Sequence, residues 1–303
     1  MTKKEILSSL QKEVAKYFSD FKVEITETAK TNRKVTNILL FPKQAGKKLT
    51  PCLPIDDIIA DLETGETDLN EAVGLVVDTL QQSLNEIPTQ FANFDPVNFL
   101  QWDNIKNLVK IQVVNKYTNL GFPEKYMTED FLDLFLVPYV DYPEATFGRS
   151  AFVRIPVDYP TPAKTVIEQA IKNTEKNGYD LKTPFQCECE PFDRQYDEAE
   201  DDKSIFYLSN PGYNFGAAQI ACQDTLKKVS EIIGSDMFLV PCSINELMVC
   251  SSNLIKPDGQ RINKAILAGI LRNVNNDMSI PNNLFLSNNI YIYNRESGEV
   301  SIA

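Results

Sequence analysis

Met237-Phe-Leu-Val-Pro-Cys-Ser-Ile-Asn-Glu-Leu-Met-Val-Cys250 sets two short apolar runs, Met237–Val240 and Leu247–Cys250, on either side of a polar corner, Pro241 to Glu246. Apolar runs this short, with a turn signal between them, read as paired, buried strands. The stretch therefore predicts a hairpin at the middle of a sheet. A helical pattern precedes it, Gly216 to Ile233, stopped by Gly234. Another follows over Asn263–Val274.

Working outward, the rest of the second half alternates in the same way. Phe131–Tyr139 reads as a strongly apolar strand, with Ser150–Ile155 as its antiparallel neighbour across Pro143–Gly148. Pro162 to Lys176 reads as a helix, Ile205–Leu208 as a strand, and Phe285–Tyr293 with Glu299–Ile302 as a closing hairpin.

The first half opens with Ile6, Leu10, Val14 and Phe18 at helical spacing over residues 3–21. Val23–Thr28 and Val35–Phe41 alternate as strands across Thr31-Asn32-Arg33, and a helix over Ile55–Leu62 ends at Gly65. Asp68 with Glu71 marks the start of a further helix reaching Leu84. Pro88 to Pro96 is a connection, and Asp95-Pro96 offers a helix start. Leu108–Val114 fits helix or strand, and Asn115–Gly121 is rich in turn residues.

The expected class is α+β, a mainly antiparallel sheet with helices packed on one side. It forms either one continuous domain or two lobes, residues 1–118 and 119–303, meeting near residue 119.

Composition removes many functions. A net charge of −12 opposes binding to a phosphate backbone or an anionic membrane. No apolar run approaches the roughly 20 residues that span a bilayer. The N-terminus lacks the apolar core of a signal peptide. Six cysteines, scattered except for Cys187 and Cys189, fit free thiols in a reducing cytoplasm. There is no histidine, which excludes an imidazole base, Ser-His-Asp or Cys-His nucleophiles and His-ligated metal or haem. Phe41 stands where a P-loop ending at Gly46-Lys47 needs glycine, Lys48 replaces its Ser or Thr, and no G-x-G occurs. No cofactor is expected.

Four constellations carry polar chemistry. If Cys187-Glu188-Cys189 lies on a strand, both sulfurs share a face and could reach one metal. Of the other cysteines, Cys222, Cys242 and Cys250 fall in patterns that read as core, so no metal site is expected. Glu188 to Asp202 holds eight carboxylates and one arginine, a solvated loop or an acidic docking surface. Asn210-Pro-Gly-Tyr-Asn-Phe-Gly216 joins a strand to a helix, where ligand loops form, although close packing at Gly216 is the better explanation. In the central corner, Ser243, Asn245 and Glu246 are candidate binding residues. Turn chemistry accounts for Ser and Asn, while a partly buried Glu246 would have a raised pKa. No catalytic residue is assigned.

The ordered series Val113–Asn119, Phe131–Val140, Ala170–Thr174, Tyr213–Ala218, Leu239–Met248 and Leu286–Asn294 resembles the uncharacterised bacterial family known as domain of unknown function 5688. The family corner reads Pro-Ser-Ser-Ile-His-Glu; here Cys242 replaces the first Ser and Asn245 the His. If that His is a catalytic base, the resemblance implies an inactive member, since Asn does not titrate near neutral pH. It also implies a bacterial or bacteriophage setting and brings no known activity. Together these readings favour an intracellular protein-binding or regulatory module with a protein partner. The alternative is an enzyme, or a degenerate one, working with carboxylate, Ser and Asn groups.

Overall fold

A computed structural model describes residues 2–43, 51–86, 99–142, 151–189, 204–255, 259–276 and 281–303. The Pro88–Pro96 connection, the Asp95-Pro96 helix start, Gly46-Lys47-Lys48, the Pro143–Gly148 link and the acidic run from residue 190 onward lie outside them. The chain divides into two compact units, Met1–Gln101 and Trp102–Ala303.

In the first unit, helix α1 (Lys3–Ala15) starts on a reciprocal cap: Glu5 N–H donates to Thr2 Oγ1 at 3.4 Å, and Thr2 N–H donates to Glu5 Oε2 at 2.8 Å. Strands β1 (Phe21–Lys30) and β2 (Arg33–Pro42) pair along their whole length, and β3 (Cys52–Pro54) adds to β2. Helix α2 (Asp56–Thr64) stops at Gly65, whose φ of 79° is the left-handed turn a glycine accepts at little cost. Helix α3 (Leu69–Glu86) is capped by Asp68 Oδ1, which accepts the N–H groups of Asn70 and Glu71 at 2.8 and 3.0 Å. Ile6, Leu10, Ile38, Leu40, Val76 and Leu80 meet in one core.

The second unit begins with a helical turn, α4 (Trp102–Ile105), and a four-stranded antiparallel sheet. Its strands are β4 (Val109–Asn115), β5 (Glu129–Phe131), β6 (Leu134–Tyr142) and β7 (Ala151–Arg154). β6 is central: β4 lies along one edge, and β5 and β7 follow each other along the other. The ambiguous segment is thus strand β4, buried at every position but Lys110, and it pairs with β6 from Val109↔Val140 to Asn115↔Leu134. That pairing ties residues 109–115 to the C-terminal unit, so the division falls between Gln101 and Trp102, ahead of the position expected near residue 119.

Helix α5 (Ala163–Asn177) packs on β4, where Thr174 Oγ1 accepts the Ile111 N–H at 3.1 Å. Then come β8 (Asp180–Lys182), the short helix α6 (Pro184–Cys189), β9 (Ile205–Ser209), a 3₁₀ segment (Gly216–Ala221) and α7 (Gln223–Ile233). The central stretch follows as β10 (Met237–Ser243) and β11 (Glu246–Ser251), then α8 (Lys264–Asn275), a 3₁₀ turn (Asn282–Leu284), β12 (Tyr291–Tyr293) and β13 (Val300–Ile302). The six strands run in the order β13-β12-β10-β11-β9-β8, all antiparallel. The expected central hairpin is there, with β10 and β11 as the two middle strands.

Several local readings change: the strand read over Phe131–Tyr139 divides into β5 and β6 at Leu132-Asp133, and of Phe285–Tyr293 only Tyr291–Tyr293 is strand. The pattern read as one helix from Gly216 to Ile233 breaks at Cys222, which is extended at φ −96° and ψ 93°. The six-stranded sheet also carries cover on both faces, not one. Phe238, Val240 and Cys250 pack with Leu267 and Leu271 of α8. The alternate residues Met237, Leu239 and Val249 are equally buried, and the 3₁₀ segment packs against β9, β10 and β11.

Asp133, in the β5–β6 turn, ties the two sheets together. Its buried carboxylate accepts from Ser287 Oγ at 2.6 Å, Asn289 Nδ2 at 3.0 Å and Tyr291 Oη at 2.7 Å. Asn115 Nδ2 adds a bond to Leu286 O at 2.9 Å.

Candidate functional site

The β10–β11 corner is a two-residue turn, Ile244-Asn245, closed by the Ser243↔Glu246 pair, with a register shift between Pro241 and Ser243. Ser243 Oγ accepts the Asn245 N–H at 3.0 Å, the usual way a serine closes a turn. Ile244 is anchored through its N–H to Leu284 O at 2.9 Å.

The corner also does something that sequence spacing could not show: it holds the Asn210–Gly216 loop. Asn245 Oδ1 accepts the Phe215 N–H at 3.1 Å, and Asn245 O accepts Ser209 Oγ at 2.7 Å. Ile244 O accepts the Ala217 N–H at 3.3 Å. Gly216 lies so close that a Cβ there would stand 2.1 Å from Ser209 Oγ, 2.3 Å from Asn245 O and 2.5 Å from Asn210 N. Two of those three atoms are backbone, so only glycine fits.

Clamped from behind, the loop adopts a costly backbone. Tyr213 and Phe215 sit at φ 59° and 53°, with Gly212 at 83°. Bulky residues rarely occupy the left-handed region, and such strain persists where surrounding structure over-determines it. Asn210 Nδ2 braces the loop from inside by donating to Asn214 O at 2.9 Å. The result is an aromatic surface. Tyr213 is 38% exposed, and Lys182 Nζ donates to its hydroxyl at 2.8 Å. The Phe215 ring packs edge-on against Tyr139 and Phe152, with centroids 5.0 and 5.4 Å apart, and Phe152 itself is 44% exposed.

Of the three corner candidates, Ser243 and Asn245 are thus taken up by turn and loop geometry. Glu246 is different. It is half-buried, its carboxylate makes no hydrogen bond or ion pair among the described residues, and burial raises its pKa. The neighbouring Cys242 thiol is pushed up to about 12, first by burial and then by the Glu246 charge, so it is no thiolate at neutral pH. Acid–base chemistry at this corner comes down to Glu246.

Cys187 and Cys189 lie on helix α6, not on a strand, which removes the premise that placed both on one face. Among the described residues no three Cys, Asp or Glu side chains converge as metal donors. No helix there is long and apolar enough to cross a membrane.

Sequence reading missed Phe152 and Tyr139. Their strands were legible, but nothing in the pattern linked them to Phe215, 63 residues beyond Phe152 and 76 beyond Tyr139. It also passed over Tyr117 and Leu120, each 72% exposed on the turn that Asn115 organises. Asn115 Oδ1 accepts the N–H groups of Tyr117 and Thr118 at 2.8 and 3.1 Å.

The family model described as "Family of unknown function (DUF5688)" matches residues 3–295 of the 303. The chain belongs to this family, as the ordered series of segments implied. No curated protein and no solved structure matches it.

Proposed function

We propose that this member of the family is a non-enzymatic protein-binding or regulatory module of a reducing cytoplasm, and that the Asn210–Gly216 loop with Phe152 forms its contact surface. The observation that carries the reading is the pair of aromatic residues held at positive φ by Asn245, Ile244 and Gly216. Strained backbone is retained at working sites, and a rigid aromatic anchor loses little entropy on binding. Tyrosine is also enriched among the residues that dominate interface energy. The free thiols of Cys52, Cys187, Cys222, Cys242 and Cys250 suit the compartment.

The test is co-purification from the native host, followed by affinity measurements with the purified partner. Tyr213→Ala and Phe152→Ala should each weaken binding at least about thirtyfold, the scale of an interface hot spot. Tyr117→Ala, on a separate exposed turn, should leave it unchanged. Full affinity in both loop variants contradicts the reading.

A second reading rests on Glu246, whose partial burial and raised pKa suit a general acid. It makes the chain an enzyme, or a former one, with a single carboxylate and no histidine. Glu246→Gln would then abolish turnover while leaving partner affinity intact; loss of affinity without any turnover to lose counts against it.

A further inference from the structure

Gln219 lies in the 3₁₀ segment and is completely buried. Its Nε2 donates to Asn210 Oδ1 at 2.7 Å and to Gly178 O at 3.1 Å. Among the described residues its Oε1 has no hydrogen-bond partner. The orientation of the amide is fixed from both sides. Gly178 O can only accept, and Asn210 Nδ2 is committed to Asn214 O, which leaves Asn210 Oδ1 facing Gln219. Turning the amide would set Oε1 against the Gly178 carbonyl, so a flip does not relieve the orphan.

We propose that Gln219 Oε1 is the acceptor of an internal water site at the base of the aromatic loop. A fully buried acceptor without a partner is rare in native proteins, and the usual remedy is an ordered water with about three hydrogen bonds. The Gly178 carbonyl and Asn210 Oδ1 each keep a second lone pair, so either can accept the hydrogen that the water does not give to Oε1. The two oxygens that accept from Gln219 Nε2 belong to neutral groups, which suits a neutral donor. A chain of hydrogen bonds then runs from this water through Gln219 and Asn210 to Asn214, next to Tyr213. The site thus supports the loop from inside, as Asn245 supports it through the backbone, and its existence does not depend on what the loop binds.

A crystal structure of the whole chain, at a resolution that shows ordered solvent, tests this directly. The expected result is one peak within hydrogen-bond distance of Gln219 Oε1, with at least two further polar contacts. A dry Oε1, an Oε1 paired with a protein donor, or several oxygens closer than about 2.6 Å, as around a cation, would each overturn it. In solution, oxygen-17 relaxation dispersion should count one long-lived water fewer in Gln219→Met than in the wild type. An unchanged count in a folded variant contradicts the proposal; if the variant does not fold, the wild-type crystal structure decides alone.

Discussion

At the scale of single residues, Gly216, Asn245 and Glu246 have three different jobs where the loop meets the corner. Gly216 permits the close approach of loop and corner. Gly216→Ala forces a Cβ into Asn245 O and Asn210 N, so the expected destabilisation is about 3 kcal/mol, at the upper end for overpacking, read from the urea midpoint. Asn245 supplies the acceptor for the Phe215 N–H. Asn245→Ala should cost about 1 kcal/mol and speed hydrogen exchange at the Phe215 amide, with little change at amides of β10. Glu246 gives a pH signature. Its folded pKa is raised, so the folded state holds the proton more tightly than the unfolded chain does. Stability is therefore greatest below the ordinary glutamate range and is lost as pH rises through the folded pKa. Glu246→Gln removes that loss: its stability relative to wild type should rise between pH 4 and pH 8. A constant difference across that range contradicts the burial of the carboxylate.

At the scale of elements, the joints between sheets matter more than the strands themselves. Asp133 satisfies three donors from the Ser287–Tyr291 segment, two of them on fully buried residues. Asp133→Ala should cost roughly 3 kcal/mol, because Ser287 and Tyr291 are left buried without an acceptor. Tyr291→Phe should cost about 1 kcal/mol, since the carboxylate keeps two donors. Denaturant midpoints of the two variants check both the size and the order. The strands and helices were largely legible, since short apolar runs such as Met237–Val240 and the 3.6-period stripe of α5 are local signals. The Gly65 stop and the Asp68 cap were legible for the same reason. Cys222, by contrast, ends a 3₁₀ segment inside a continuous apolar pattern, and Cys187-Glu-Cys189 alternates without being a strand. In both, packing decided between conformations that the pattern permits.

The candidate site was legible only in pieces. The corner and the Asn210–Gly216 loop each stood out as polar punctuation between apolar elements, but Asn245 Oδ1 meets Phe215 N across thirty residues of chain. Aromatic contacts from β6 and β7 join them over a still longer separation. One sequence carries no record of such contacts. The resemblance implied a His at the position of Asn245 and, if that His is a base, lost catalysis; in the structure the Asn245 side chain is a clamp, a role an imidazole nitrogen could also fill.

For the whole molecule, the two units have separate consequences. The first has its own core, in which α1, α2 and α3 pack on a three-stranded sheet. A fragment of residues 1–101 should therefore unfold cooperatively by itself, with dispersed amide resonances; a fragment that stays unfolded contradicts an independent unit. The second unit carries the aromatic loop and with it the proposed partner contact.

That contact is tested most directly by placing p-benzoyl-phenylalanine at position 152, and separately at position 117, in the full chain expressed in its native host. Irradiation should give one discrete adduct from position 152, with a protein that also binds the purified chain and loses affinity to Tyr213→Ala. Adducts from position 117 alone, or an adduct from position 152 whose partner binds Tyr213→Ala as tightly as wild type, would contradict a binding surface built on this loop.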